Sequence, residues 1–211
     1  MKKMPIFWTI LLIVVAVFYF THTDSYIIVI IFLIFYLRKY SQIQTYNRKI
    51  KQLETELPLC TNLYEKAKIW NKIINKETNM EFVKYAWQQI QSSIIKNGIV
   101  AQNIKTPVAV GKKCYYTTSV GIVKQRTANG KKYFDIKNAE PATLYIFEDT
   151  MEWIAQGHRT IPISRIIKIN ISTDYKLVSF ILRNEAASIN FYSTEAKIIQ
   201  CIISLIQKER M

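Results

Sequence analysis

Four cations stand close together in the chain. Lys124, Arg126, Lys131 and Lys132 surround Asn129-Gly130, a hairpin signal because both of its residues tolerate positive φ. Positive donors gathered on one hairpin make charge-assisted contacts to anionic groups, and with no further constraint they form a diffuse cationic surface that favours an anionic lipid leaflet. The densest acidic group, Glu148-Asp149 with Glu152, falls at another predicted turn and reads as a solvated tip rather than a metal site. Cys60, Cys114 and Cys201 are odd in number, far apart and outside any C-x-x-C spacing, which predicts free, buried thiols. His22 and His158 are the only histidines, too few for a multi-histidine metal site, and their predicted places far apart leave no base for a triad. Phosphate-binding glycine loops, H-E-x-x-H and G-x-S-x-G are all missing from the sequence. The residues predict a protein that binds rather than catalyses, without cofactor or metal.

The elements that must carry these residues change character along the chain. From residue 108 onward the pattern is a series of short strand-like runs: 114–125, 132–136, 143–148, 151–155, 159–162, 166–171, 176–182 and 187–191. Gln156-Gly157 and Asn184-Glu185 mark tight turns between neighbours. Residues 193–210 return to a helical period, with Ser193 placed as an N-cap, Glu195 in the first turn and Ile198, Cys201, Ile202, Leu205 and Ile206 on the apolar face. The expectation is about seven antiparallel strands followed by one helix.

That order resembles the pleckstrin-homology-like (PH-like) superfold, in particular its bacterial PH and GRAM-like branches. The resemblance rests on the strand-turn-strand Leu144-Tyr145-Ile146-Phe147-Glu148-Asp149-Thr150-Met151-Glu152-Trp153 and on the following Arg159-Thr160-Ile161-Pro162-Ile163-Ser164-Arg165-Ile166-Ile167-Lys168-Ile169. It covers about residues 108–210 and implies an antiparallel barrel or sandwich capped by the last helix. In lipid-binding members, cations on and beside the first hairpin hold a phosphorylated head group. Lys124, Arg126, Lys131 and Lys132 occupy that place, although the chain lacks the fuller Lys-to-Arg-x-Arg run of those members.

The first forty residues are of another kind. Two apolar runs, residues 4–21 and 25–37, flank the clip Thr21-His22-Thr23-Asp24. The first is uncharged and, at about 1.5 Å per residue, nearly covers a hydrocarbon core; the second reaches only about 18 Å. Lys2 and Lys3 before the first run, and Arg38 and Lys39 after the second, bracket the pair on one side, while the clip holds no Lys or Arg. The expectation is a transmembrane hairpin with both ends cytoplasmic, in a bacterial cell membrane, with a cleaved signal peptide or a single span as alternatives. Next, Ile43, Tyr46, Ile50, Leu53 and Leu57 recur at spacings of three and four until Pro58, as a seam that packs within the chain or against a second copy. Helical patterns over 62–75 and 80–96 complete a connector, with Asn97-Gly98 as the stop.

The fold class expected is therefore membrane-anchored α+β: a two-helix hairpin over 1–40, a juxtamembrane helical connector over 41–99 and a cytoplasmic PH-like domain over 100–211. A net charge of +14 suits a domain lying against anionic lipid, and this disfavours nucleic acid as the partner. The expected function is a tethered interaction module for a protein partner or the anionic membrane surface, with a homo-oligomer through the juxtamembrane helix. The alternative is a pore or transporter subunit in which the hairpin is the active part; the near absence of polar residues in the two runs favours the anchor.

Overall fold

The structure, a computed structural model, describes residues 26–101, 112–185 and 187–209, together with residues 10, 11, 13, 14, 16 and 17. The chain divides into two compact units, Met1–Leu59 and Cys60–Met211.

In the first unit the second apolar run is not a helix by itself. It is the opening part of one helix, α1 (Tyr26–Glu56), which continues through Arg38, Lys39, Arg48, Lys49 and Lys51 without a break. About 12 apolar residues give about 18 Å of helix against roughly 30 Å of hydrocarbon. Among the described residues no helix is long and apolar enough to cross a membrane. This corrects the two-span hairpin, and with it the membrane-anchored fold class and the integral-membrane placement with cytoplasmic ends. The first run lies mostly outside the described residues, as does the clip Thr21–Asp24. Ile43, Ile50, Leu53 and Leu57 of the seam are buried. A 3-10 turn, Leu57–Leu59, ends the unit where Pro58 removes a backbone donor.

The second unit begins with two helices, α2 (Leu63–Lys76) and α3 (Met80–Asn97). Both start on an asparagine whose side chain accepts orphan backbone N–H groups: Asn62 from Glu65, and Asn79 from Glu81 and Phe82. Gly98, with φ of 69°, stops α3. Val83, Ala86, Ile90 and Ile94 form its buried stripe. Lys66 is buried as well, donating from Nζ to the Ser93 carbonyl at 3.3 Å, and burial pushes its ammonium below the usual lysine range.

Nine strands follow among the described residues. β1 (Cys114–Ile122), β4 (Glu140–Phe147), β5 (Thr150–Ile154), β6 (His158–Pro162), β7 (Ile166–Ile171), β8 (Leu177–Leu182) and β9 (Ile189–Tyr192) form one antiparallel sheet in the order β6-β5-β4-β1-β9-β8-β7. β2 (Gln125–Ala128) and β3 (Lys131–Phe134) form a separate two-stranded hairpin, turning on Asn129 and Gly130 at φ of 51° and 72°. The 114–125 run thus divides: its first part pairs with β4, its end with β3. Gly121 sits where β1 is paired on both sides, with Pro141 of β4 and Tyr192 of β9, and a Cβ there would lie 2.9 Å from that of Ala139.

Chain connectivity makes this sheet curl. Seven strands laid flat would hold their edges roughly 29 Å apart. The edge strands β6 and β7 are nevertheless consecutive, and from Pro162 to Ile166 the chain reaches at most about 15 Å. The concave face holds Leu144, Ile146, Met151, Phe180 and Phe191, all fully or nearly fully buried. Trp153 of β5 meets Phe191 of β9 edge-to-face at 5.4 Å, although two strands separate them in the sheet. Helix α4 (Ala196–Glu209) closes the corner: Gln207 Nε2 donates to the carbonyls of Ile163 and Ile166 at 3.3 and 2.8 Å. Its buried face is Ile198, Ile199, Cys201, Ile202, Ile203 and Ile206, whereas Leu205 is only half-buried.

Helices and sheet of this unit share one seam. Trp70 of α2 is fully buried, meets Trp87 of α3 edge-to-face at 5.2 Å, and donates from Nε1 to the Thr194 carbonyl at 3.0 Å. Glu195 accepts from Asn71 Nδ2 at 2.6 Å and from the Tyr116 hydroxyl at 2.7 Å. Burial, with the Glu195 charge beside it, pushes the Tyr116 phenol far above the usual tyrosine range.

Candidate functional site

One end of the curled sheet is open. Where β1 leaves the sheet, where β5 turns into β6 and where β8 turns into β9, the strand ends surround a cavity of about 1060 Å³. Register places its chemistry. Arg159 is the cross-strand partner of Trp153, so the two residues share the concave face and both line the cavity. Ile122, Ile161 and Ile189 extend the apolar lining, and Ser188 and Asn190 supply a polar wall. That wall is internally satisfied: the Ser188 hydroxyl donates to Asn190 Oδ1 at 3.0 Å, and Asn190 Nδ2 donates to the Ser188 carbonyl at 3.2 Å.

The charges at the cavity divide into committed and free. Arg165 Nη2 donates to Glu185 Oε1 at 2.7 Å, and Glu140 Oε1 accepts from the Gln156 backbone N–H at 3.3 Å. Lys124 and Arg159 have no side-chain hydrogen bond or carboxylate partner among the described residues. A cavity with two uncommitted cations can receive an anionic group.

Of the four cations singled out in the sequence, only Lys124 lines this cavity. Arg126 is held by Asp135, Nε to Oδ2 at 2.7 Å. Lys131 and Lys132 are exposed neighbours on β3 and point to opposite faces of the hairpin. The structure does not gather the four into a pocket. Arg159 was not singled out, yet a signal for it exists: in the run 159–162 it shares the face of Ile161, an arginine on the apolar side of a strand.

The acidic group at the β4–β5 turn also departs from expectation. Glu148 and Asp149 are exposed, but Glu152 is fully buried. Its carboxylate accepts from Lys112 Nζ and, at 3.1 Å, from the Thr150 hydroxyl, and lies 2.8 Å from His158 Nε2. Near it, on the face opposite the main core, Cys114, Tyr145 and Phe147 form a second buried cluster. Burial alone would push the Glu152 carboxyl up; the hydrogen bonds from Lys112, His158 and Thr150 with the Lys112 charge outweigh it and hold the group below the usual carboxylate range. A carboxyl depressed in the folded state stabilises fully above its unfolded value of about 4.3 and loses that contribution as pH falls through the folded value. Glu152→Gln should therefore lower the melting temperature at pH 7 and flatten its fall below about pH 4.3. Melting curves of wild type and variant that stay parallel from pH 7 to pH 2 would contradict this.

The three cysteines form no disulfide among the described residues and are buried, and burial pushes the Cys201 thiol up to about 11. Among the described residues no group of His, Cys, Asp and Glu could hold a metal ion. Compared with known proteins, the chain matches no family and no curated protein.

Proposed function

We propose that the Cys60–Met211 unit is a PH-like binding module without a catalytic step, and that the open end of its curled sheet receives an anionic group. The order of elements supports the first part. Seven antiparallel strands followed by one helix is what the resemblance in the sequence implies, with the β2–β3 hairpin as an excursion between β1 and β4. The observation that carries the second part is the pair Lys124 and Arg159, uncommitted cations at one cavity. Arg159 brings a planar fork that matches two oxygens of one anion, and the low-dielectric wall of Trp153 strengthens each such bond.

Sulfate titration of the full chain, followed by nuclear magnetic resonance, tests this. Sulfate is expected to shift the Trp153 indole and Arg159 side-chain signals saturably, and Arg159→Gln to remove the saturable Trp153 response. Shifts confined to the β2–β3 hairpin and the helices would overturn the assignment.

A further inference from the structure

We infer that the natural ligand is an amphiphile with a single anionic group, its apolar body lying on Trp153 inside the cavity, rather than a polyphosphate. The inference rests on the reading of the open end as an anion site and adds the class of ligand. Three observations carry it.

The first is adjacency. Arg159 and Trp153 are cross-strand partners, so an anionic head on the guanidinium puts whatever is attached to it beside the 6% of Trp153 that the fold leaves uncovered. Ile122, Ile161 and Ile189 continue that apolar lining.

The second is the charge inventory. Lys124 and Arg159 are the uncommitted cations at the cavity, Arg165 is already held by Glu185, and Glu140 and Glu185 place two carboxylates in the same lining. A ligand with several phosphates would meet those carboxylates and lack a donor for each anionic group, whereas one carboxylate or sulfonate would not.

The third is size against polarity. A cavity of about 1060 Å³ lies at the upper end for drug-sized ligands and far exceeds one inorganic anion. Of its polar lining, Ser188 and Asn190 are already satisfied by internal hydrogen bonds and do not demand a polar ligand body.

Calorimetric titration of the full chain with dodecanoate, acetate, dodecyltrimethylammonium and inositol hexakisphosphate tests the proposal. Dodecanoate below its micellar concentration should bind roughly 100-fold more tightly than acetate, because only its tail buries apolar surface. Arg159→Gln should weaken dodecanoate about tenfold and leave dodecyltrimethylammonium unchanged. Arg159 is exposed, so the exchange leaves the core intact. If inositol hexakisphosphate binds more tightly than dodecanoate and Arg159→Gln weakens it, the ligand class is wrong while the anion site stands. Should Arg159→Gln alter the binding of none of the anions, the anion site fails and the ligand class with it. Equal weakening of dodecanoate and dodecyltrimethylammonium would show a tail site that ignores charge, which also overturns the inference.

Discussion

Replacing Trp70 by Ala is expected to destabilise the Cys60–Met211 unit by about 3–5 kcal/mol, the usual cost of emptying a buried tryptophan site. Trp70 is fully buried and joins three parts of that unit: α2, on which it stands, α3 through Trp87, and the start of α4 through the Thr194 carbonyl. Truncation removes the ring contact and leaves the carbonyl without that donor. Trp70→Phe should keep most of the packing and lose only the hydrogen bond, at about 1 kcal/mol. Urea unfolding of the full chain reads both variants. Loss of less than about 1 kcal/mol for Trp70→Ala would mean that α2 and α3 are not part of the domain's core.

Ile202→Asp should abolish the cooperative melting of the same unit. Ile202 is fully buried on α4, so an aspartate there is an unpaired charge in the interior, a change that costs several kcal/mol, approaching the whole stability of a small domain. The informative contrast lies three residues on. Leu205 belongs to the apolar pattern of the sequence but is only half-buried, and an aspartate there can reach solvent. Leu205→Asp should therefore retain a cooperative, lowered melt. Equal damage from the two exchanges would contradict the rotation of α4 on the sheet, which buries Ile199 and Ile203 in place of Leu205.

Helical boundaries were legible wherever local chemistry sets them. Asn62, Asn79 and Gly98 cap α2 and α3 within a residue or so of the expected ends, and Asn129-Gly130 turns the hairpin. Pairing partners were not legible, because they depend on contacts distant in sequence. The end of the 114–125 run joins β3 rather than the large sheet, and the Trp70 hydrogen bond spans 124 residues. Glu152 shows the same limit. Beside Glu148 and Asp149 it looks like part of an exposed tip, but Lys112, forty positions earlier, Thr150 and His158 on the next strand together make its burial tolerable. The membrane expectation failed for another reason. Apolar composition shows that a segment avoids water but not where its helix ends, and α1 runs on into charged residues. At the candidate site, Lys124 was visible as a cation beside a hairpin; Arg159 gained its meaning only from the register that sets it against Trp153.

The central claim is that the open end of the curled sheet receives the ligand's anionic group. A crystal structure of the full chain grown with selenate, whose selenium is located by its anomalous scattering, tests it most directly. The account predicts an anomalous peak within hydrogen-bonding reach of the Arg159 guanidinium, inside the cavity that Lys124 and Trp153 line. Selenate bound at Lys131, Lys132 or the helix surfaces, with none at Arg159, would contradict it.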